Sequence, residues 1–570
     1  MSSTLPFRDQ VIAMAYATDI DSSAEAALVK TAHLDDAHLG DIIGAFGTIA
    51  RNDTTHRLHW KHRLRTLLAI LGPGLIVMVG DNDAGAFGTY TQAGQNYGTA
   101  LLWALALLIP VLYVNQEMVL RLGAVTGVGH ARLIFERFGK FWGAFSVIDL
   151  FLLNALTIVT EFIGIALALD YLGMSKALGV ALSALLIVAA VSTGNFRRFE
   201  RFAMVLVFAS LLLVPIYFMA HPPLAEVARD FVVPQLPKEG KLSDVMLLII
   251  AIVGTTVAPW QLFFQQSYVV DKRITPRFIR YERLDLWIGI ALVIIGAVAM
   301  MAFTAAAFAG KPEFGNFTDA GGVAAGLEKY AGQAAGVMFA IALIDASLIG
   351  AAAVSLSTAY AIGDVFSLRH SLHRKVGEAK GFYAVYAFLI ALAAAIVLTP
   401  GAPLGLLTNA VQTLAGVLLP SATVFLLLLC NDKAVLGPWV NPRWLNYFTG
   451  VVIAGLVLLS IILTASVLFP DATNEEVILG ILLGGGGVGL LITLAAMTLG
   501  RRGEPANAVK RGGGLGGSRA SWRMPPLEEL APAQLSLAAK LWMGVLRLYL
   551  VIAGGLVLIR IATLALGGGE

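Results

Sequence analysis

The sequence is poor in charged residues and in cysteine. Asp, Glu, Lys and Arg make up 14% of its 570 residues, whereas soluble domains carry about 25%. Together with a hydrophobic content of 58%, this excludes an ordinary soluble domain and indicates a polytopic membrane protein. The single cysteine, Cys430, excludes an internal disulfide and a cysteine-based metal cluster. The N-terminal residues lack the basic start and short apolar core of a cleaved signal peptide.

Twelve apolar runs are long enough to cross a hydrocarbon core of about 30 Å. They are 67–94, 99–122, 142–169, 176–193, 202–220, 244–268, 285–309, 333–363, 381–399, 404–430, 446–469 and 477–499. A further stretch, 541–566, contains Arg547 and Arg560. It is either a thirteenth span or an interfacial helix whose arginines reach the membrane surface. The chain is therefore predicted to be an all-α protein embedded in a lipid bilayer.

Basic residues concentrate before the first run and after the second, fourth, sixth, eighth and twelfth runs. These loops fall on one side if every run crosses once, and cytoplasmic loops carry an excess of Lys and Arg. We therefore expect a cytoplasmic N-terminus, with the loops at about 221–243 and 310–332 outside.

Helix-breaking residues interrupt two of the runs near their middles. In the first run, Gly80 and Gly85 lower helix propensity by about 1 kcal/mol each, next to Asp81 and Asp83. A carboxylate at membrane depth costs roughly 2.5–3.5 kcal/mol on insertion scales, so it needs a compensating role.

In the sixth run, Pro259 removes the amide that would bond the carbonyl of Thr255. Paired broken helices free backbone carbonyls to hold an ion near the membrane midplane. The two breaks together predict a cation transporter.

The breaks fall in the first and sixth spans, which begin on opposite sides of the membrane. This arrangement predicts a LeuT-like inverted five-plus-five helix repeat with broken helices 1 and 6 and extra C-terminal helices. The predicted division is a cytoplasmic tail at 1–60, partly helical or disordered, and a ten-helix transport core at 61–430. Two additional transmembrane helices follow at 431–500, and a cytoplasmic linker with a hydrophobic helix occupies 501–570.

Several short motifs lie between residues 72 and 127. They are Gly72-Pro73-Gly74, Asp83-Ala84-Gly85-Ala86-Phe87, Gln92-Ala93-Gly94, Leu101-Leu102-Trp103, and Arg121-Leu122-Gly123 followed by Thr126-Gly127. Together they resemble the start of the NRAMP metal transporters. The resemblance covers roughly residues 65–470 and implies alternating access for divalent metal ions across a membrane. The ligands it implies are Asp83, the carbonyls of Gly80 and Thr255, and Gln412 in the tenth helix.

The departures from the family pattern bear on which ion is carried. Ala86 and Ala258 stand where the family has its metal-binding Asn and Met. A thioether favours transition metals, whereas an all-oxygen site suits Mg²⁺ without excluding Mn²⁺. This pattern resembles the NRAMP-related magnesium transporters, a prokaryotic branch, and so implies a prokaryotic inner membrane. Additional polar lining is expected from Asp81, Asn82, Gln261 and Glu161.

Proton coupling is not expected, because Trp260, Gln265 and Ile158 replace the titratable residues of the family's proton route. Two charges crossing about 100 mV gain roughly 4.6 kcal/mol, which can drive passive uptake. The alternative is a conventional proton-coupled Mn²⁺/Fe²⁺ carrier. Less favoured are a sodium-coupled amino-acid carrier, a non-transporting receptor, and an intramembrane enzyme, since Asp81 and Asp83 share one turn. We expect no enzymatic activity, cofactor, nucleic-acid partner or obligatory protein partner.

Other polar residues in the spans carry weaker signals. Asn154, Thr157 and Glu161 form one polar stripe, which either lines a water path or bonds a neighbouring helix. Asp345 is interpreted as structural. The span-end histidines are interpreted as ordinary loop residues; these are His130, His370 and His373.

Overall fold

The computed structural model describes most of the chain. The described residues are 32–237, 240–401, 404–469, 472–499, 519, 522–530 and 533, and separate positions from 543 to 559. The stretch 541–566 lies largely outside them, so the nature of this C-terminal segment stays a prediction. Residues 1–31 also lie outside the described part.

The described part of the chain is mainly helical, and each of the twelve apolar runs overlaps at least one helix. They are α1 (Trp60–Ile70), α2 (Pro73–Val79), α3 (Ala84–Tyr97), α4 (Leu102–Thr126), α5 (His130–Phe138), α6 (Lys140–Tyr171), α7 (Lys176–Val191), α8 (Phe196–Ala209), α9 (Leu213–Ala220), α10 (Leu224–Val232), α11 (Leu242–Thr256), α12 (Pro259–Asp271), α13 (Ile279–Phe308), α14 (Ala320–Ala331), α15 (Gln333–Val365), α16 (Lys380–Leu398), α17 (Leu404–Cys430), α18 (Lys433–Leu436), α19 (Arg443–Leu468) and α20 (Glu475–Leu499). Eight described helical segments are long and apolar enough to cross a membrane, or ten if each of two bent pairs counts as one span.

Both predicted breaks are present. The first separates α2, which ends at Val79, from α3, which begins at Ala84. The second separates α11, which ends at Thr256, from α12, which begins at Pro259. Pro259 occupies the first turn of α12, where its missing amide costs nothing. The residues that unwind the two spans are therefore those that the local propensities indicate.

A β-hairpin precedes the first helix. Its strands, β1 (Ile42–Gly44) and β2 (Gly47–Ile49), pair antiparallel with Ile42 opposite Ile49. The backbone N–H of Ala45 in its turn donates to the carboxylate of Glu200 on α8. The expected helical or disordered tail is wrong for this stretch, because the hairpin gains a buried partner 155 residues away in sequence.

The ends of the broken spans define two faces of the molecule. At the face that carries the hairpin, here called the hairpin face, Lys272 follows the last residue of α12 and donates through Nζ to the carbonyls of Ile70 at 2.6 Å and Leu71 at 2.9 Å. The start of α2 and the end of α12 thus lie together there. At the opposite face, Gln95 of α3 donates to the carbonyl of Glu313 at 2.9 Å. The halves α3 and α11 lead towards that second face.

Helix α13 packs along both halves of the first broken span. A Cβ atom on Gly74 would lie 2.7 Å from the backbone of Leu286, so only glycine permits this approach. The carboxylate of Asp285 accepts hydrogen bonds from the backbone N–H groups of Gly72 at 3.1 Å and Gly74 at 2.7 Å. These bonds hold α2 against α13 and leave the unwound residues at the centre of the bundle.

Candidate metal-binding site at the two breaks

A small cavity of about 50 Å³ lies beside the two breaks, enough for a few water molecules. Its lining residues come from the start of α3 and from α6, α11, α12 and α17. They are Asp83, Gly85, Leu153, Thr157, Thr160, Ala251, Gly254, Thr255, Ala258, Trp260, Thr408, Val411 and Ala415. The structure thus brings Asp83, Thr255 and Ala258 together from the predicted set.

Asp83 provides a carboxylate to this cavity. It is also the N-cap of α3, and its Oδ1 accepts from the backbone N–H of Ala86 at 2.9 Å. Glu161 Oε2 accepts a hydrogen bond from the backbone N–H of Ala84, the first residue of α3, at 3.1 Å. The exposed amides and the dipole of a helix N-terminus stabilise negative charge, so both carboxylates lie where the backbone favours them.

Gly85 keeps open the space between the two broken spans. A Cβ atom there would lie 3.2 Å from Asp83 Oδ1 and 3.9 Å from the hydroxyl oxygen of Thr255. Any side chain larger than hydrogen would therefore occupy the region that these two oxygens border. This is the space that an ion bound by both spans needs.

The threonine hydroxyls of α6 are oriented as acceptors. Thr157 donates its proton to the carbonyl of Leu153 at 2.9 Å, and Thr160 donates to the carbonyl of Thr157 at 2.7 Å. Because each hydroxyl has only one proton, its remaining capacity is to accept or to coordinate. Oxygen acceptors of this kind suit hard cations.

Sulfur and imidazole are absent from the described residues that line the cavity. At the second break, Ala258 contributes only a methyl group to the cavity lining. Trp260 also lines the cavity, and it is 1% exposed. Within the described part of the chain, no group of three or more His, Cys, Asp or Glu residues is arranged to hold a metal ion. Among the described lining residues, the side-chain groups that can bind a metal ion are thus one carboxylate and the threonine hydroxyls.

Two predicted ligands, Gly80 and Ala86, are not among the described residues that line the cavity. Gly80 caps the C-terminus of α2, and Ala86 is fully buried in the first turn of α3. The side chain of Gln412 lies outside the described residues, although its neighbours Thr408 and Val411 on α17 line the cavity. The tenth-helix position is therefore consistent with the prediction, and the role of Gln412 stays a prediction.

The expected additional polar lining divides into separate contacts. Asn82 donates to the carbonyl of Val293 on α13 at 3.1 Å and so anchors the break. Asp81 and Gln261 are bonded to each other, with the Gln261 amide donating to Asp81 Oδ1. None of these three residues is among the described residues that line the cavity, and neither is Glu161.

The polar stripe on α6 combines both of its open interpretations. Asn154 donates to the hydroxyl of Thr358 on α15 at 2.8 Å, which is a contact between helices, whereas Thr157 lines the cavity. The sequence reasoning missed Thr160 and Thr408. Their spacing was the available signal, because Thr160 lies three residues after Thr157 and Thr408 lies four residues before Gln412.

The interpretation of the span-end histidines as ordinary loop residues is wrong for His130 and His370. Both are buried, His130 bonds Gln266 at 2.8 Å, and His370 lies 3.0 Å from the carboxylate of Asp364. Burial lowers the pKa of His130 to about 4. These histidines help to join helix ends at the hairpin face.

Comparison with known proteins decides the family. The profile described as "Natural resistance-associated macrophage protein-like", Nramp, matches residues 74–466. The chain belongs to the Nramp family. The divalent metal cation transporter MntH 1 of Pseudomonas aeruginosa is 30% identical over 407 residues, which cover 67% of this chain and 88% of the relative. The MntH of Latilactobacillus sakei is 27% identical over 430 residues, covering 71% and 90%.

Solved structures agree on the fold of this Nramp chain. The crystal structure of the Eremococcus coleocola manganese transporter in complex with an aromatic bis-isothiourea substituted compound superposes with a TM-score of 0.62 and 21% identity. The match covers 82% of this chain and 97% of the other. The predicted all-α LeuT-like fold with broken helices 1 and 6 is confirmed, as is the resemblance to the NRAMP family. The chain is a multi-pass membrane transporter of this family and not an enzyme.

Proposed function

We propose that this Nramp protein carries divalent metal ions by alternating access, with Mg²⁺ as its preferred cargo and Mn²⁺ as a second. One observation carries the proposal: the cavity joins the Asp83 carboxylate to four threonines and to Ala258, with no sulfur donor among its described lining residues. Mg²⁺ takes oxygen ligands and keeps several of its waters, whereas a thioether would favour softer metals.

The proposed ion enters with part of its hydration shell. The acceptor hydroxyls of Thr157 and Thr160 can bond the protons of metal-bound water, while Asp83 supplies the negative charge. Ala258 and Gly85 keep the space for that water free of side-chain atoms. In this proposal Gln412 and the carbonyls of Gly80 and Thr255 complete the coordination as the broken spans move.

We further infer that uptake is not coupled to protons. Asp83 is the only titratable side chain among the described lining residues, and no histidine accompanies it. A double charge crossing about 100 mV gains roughly 4.6 kcal/mol, so the membrane potential suffices to drive accumulation. This requires the proposed orientation in a prokaryotic inner membrane, with the N-terminus and the hairpin face cytoplasmic. The predicted division into a core at 61–430 and later helices belongs to the same proposal.

The test is uptake into liposomes that hold either a Mg²⁺-sensitive dye or a pH dye, at a set potential. The proposal expects Mg²⁺ entry that Mn²⁺ competes for, that Asp83→Ala abolishes, and that leaves internal pH unchanged. Mn²⁺ entry with acidification and no Mg²⁺ signal would instead identify a conventional proton-coupled carrier. Asp345→Asn is the matched control, because Asp345 is also a buried intramembrane carboxyl but lies outside the cavity lining.

A further inference from the structure

A second polar cluster lies behind the cavity and is not part of it. Gln116 Nε2 on α4 donates to Gln261 Oε1 at 2.9 Å, and Gln261 in turn donates to Asp81 Oδ1. All three side chains are 1% exposed or less. Asp81, Gln116 and Gln261 thus form one hydrogen-bonded chain in the interior, here called the Asp81 cluster.

Both ends of the Asp81 cluster are unsatisfied. Asp81 Oδ2 and Gln116 Oε1 are buried and have no hydrogen-bond partner among the described residues. A buried polar atom without a partner costs about 1–3 kcal/mol, and more if it is charged. Native structures contain few such atoms, so each calls for a missing water, proton or ion. Two acceptor oxygens at the ends of one chain point to a cation.

The Asp81 cluster lies between the cavity and the hairpin face. Asp81 follows the end of α2, and Gln261 is in the first turn of α12. These two half-helices lead to the hairpin face, where Lys272 joins them. Most of the cavity lining comes instead from α3, α6, α11 and α17. An ion that passes from Asp83 to the hairpin face therefore meets Asp81 next.

A line of polar groups continues from the cluster towards that face. Gln265 and Tyr268 follow Gln261 on α12 at i+4 and i+7, so the three share one side of the helix. The Gln265 amide and the Tyr268 hydroxyl are buried without partners among the described residues. The Tyr268 ring stacks on Phe196 at 5.0 Å and on Phe264 at 5.1 Å, at the end of this line.

We propose that Asp81, Gln116 and Gln261 form a second cation site, which receives the divalent ion from Asp83 on its way to the hairpin face. The proposal rests on the function proposed above. The Asp81 carboxylate supplies the charge, and the two glutamine carbonyl oxygens supply neutral ligands once the amides of Gln116 and Gln261 both turn their oxygens towards the ion.

Binding tests the second site without depending on transport. Free Mn²⁺ is measured by electron paramagnetic resonance as it is titrated against the full-length protein in detergent. We expect Asp83→Asn to retain a weaker class of bound Mn²⁺, and Asp81→Asn/Asp83→Asn to bind at least tenfold more weakly than Asp83→Asn. Asp345→Asn/Asp83→Asn is the matched control, since Asp345 Oδ2 is likewise buried without a partner. Equal binding by Asp83→Asn and the Asp81 double variant would overturn the proposal.

Transport then separates the roles of the two carboxylates. In dye-loaded liposomes, Asp81→Asn should lower the maximal uptake rate at least tenfold and change the KM for Mg²⁺ less than threefold. A wild-type rate in Asp81→Asn would refute the site even if uptake itself is as proposed. Acidification that accompanies uptake and disappears in Asp81→Asn would identify a proton site instead and would also refute it. Failure of wild-type uptake with the Mn²⁺ binding pattern intact would count against the proposed function alone.

Discussion

The two broken spans unwind in different ways. The first break leaves four residues between its half-helices, Gly80 to Asp83, and two of them are carboxylates. The second leaves only Val257 and Ala258 and carries no charge. Asp83 lines the cavity with its carboxylate, whereas Ala258 lines it with a methyl group. The first span therefore supplies charge, and the second supplies space and backbone oxygen.

The difference suggests a division of labour between affinity and selectivity. A fixed carboxylate attracts any divalent cation, because its attraction depends mainly on charge and distance. The size and softness of the facing group decide how much of the hydration shell the ion must lose. On this view the first span provides affinity for the ion and the second provides selectivity between ions. Substitutions at the first break should therefore change mainly the amount of uptake, and substitutions at the second mainly the preference between ions.

The largest effect is expected from removing the charge of the first span. Asp83→Ala should lower Mg²⁺ uptake by about 100-fold or more, since losing one partner of a buried charge interaction costs roughly 2–5 kcal/mol. Thr255→Ala, across the cavity, removes a hydroxyl but keeps the backbone carbonyl. It should therefore lower Mg²⁺ uptake by less than about tenfold, because a neutral hydrogen bond contributes up to about 1.4 kcal/mol. Mg²⁺ uptake into dye-loaded liposomes is measured for both variants. Equal losses would contradict the division of labour.

The next effect concerns what holds the spans together at the hairpin face. Lys272 and Glu200 form a buried ion pair at 2.6 Å, and the same ammonium group donates to two carbonyls ahead of α2. Lys272→Met leaves the Glu200 charge unpaired, so we expect a loss of stability of roughly 3–5 kcal/mol.

Thermal unfolding in detergent, followed by intrinsic tryptophan fluorescence, measures this loss. Lys329→Met is the control, because the Lys329–Glu313 pair spans a similar 2.9 Å but lies exposed in solvent. The control should leave the midpoint unchanged. A stable Lys272→Met protein would mean that the two spans are not joined through this residue.

A smaller effect on uptake should follow from introducing a sulfur atom into the second span. Ala258→Met places a thioether at the cavity and fills space for metal-bound water. We expect Mg²⁺ uptake to fall about tenfold, or 1.4 kcal/mol, while Mn²⁺ and Cd²⁺ compete more strongly. Ala258→Leu adds a similar volume at the same position without sulfur, so it controls for filling alone. Similar metal preferences in the two variants would assign the change to volume and not to sulfur.

The sequence predicted the features that depend on local chemistry. A glycine-rich stretch and a proline break their helices wherever they stand, so both breaks fell at the expected residues. Asp83, Thr255 and Ala258 reach one cavity because the two breaks are matched in depth. The metal-binding roles of Gly80, Gln412 and the other proposed ligands stay predictions.

The features that escaped prediction are contacts between distant segments. Gln261 and Asp81 are 180 residues apart, and nothing in either segment indicates the bond between them. The strands of the hairpin at 42–49 are too short for an alternating apolar and polar pattern to predict them in a polar tail. The hairpin is stabilised by its contact with Glu200. His370 looks like a loop residue because His38, which contacts its backbone carbonyl, is 332 residues away in sequence and becomes a neighbour only after folding.

The smallest predicted effect concerns how the far end of the second span is held. Ser371 and the backbone N–H of Leu372 donate to the Asp271 carboxylate, which ends α12, at 2.5 Å and 2.8 Å. His370 directly precedes Ser371 in the loop between α15 and α16. Burial opposes its protonation, but the hydrogen bond to Asp364 and the charge of that carboxylate outweigh burial and raise the pKa of His370.

A raised pKa means that protonated His370 stabilises the folded protein. This contribution is complete below the ordinary pKa of about 6.5 and is lost as pH rises through the higher pKa of the folded state. His370→Asn should therefore lower stability by about 1 kcal/mol at pH 6 and approach the wild type at pH 9. Unfolding midpoints across that range test it, with the exposed His221→Asn as control. A deficit in His370→Asn that does not change with pH would mean that packing, not charge, holds the end of the second span.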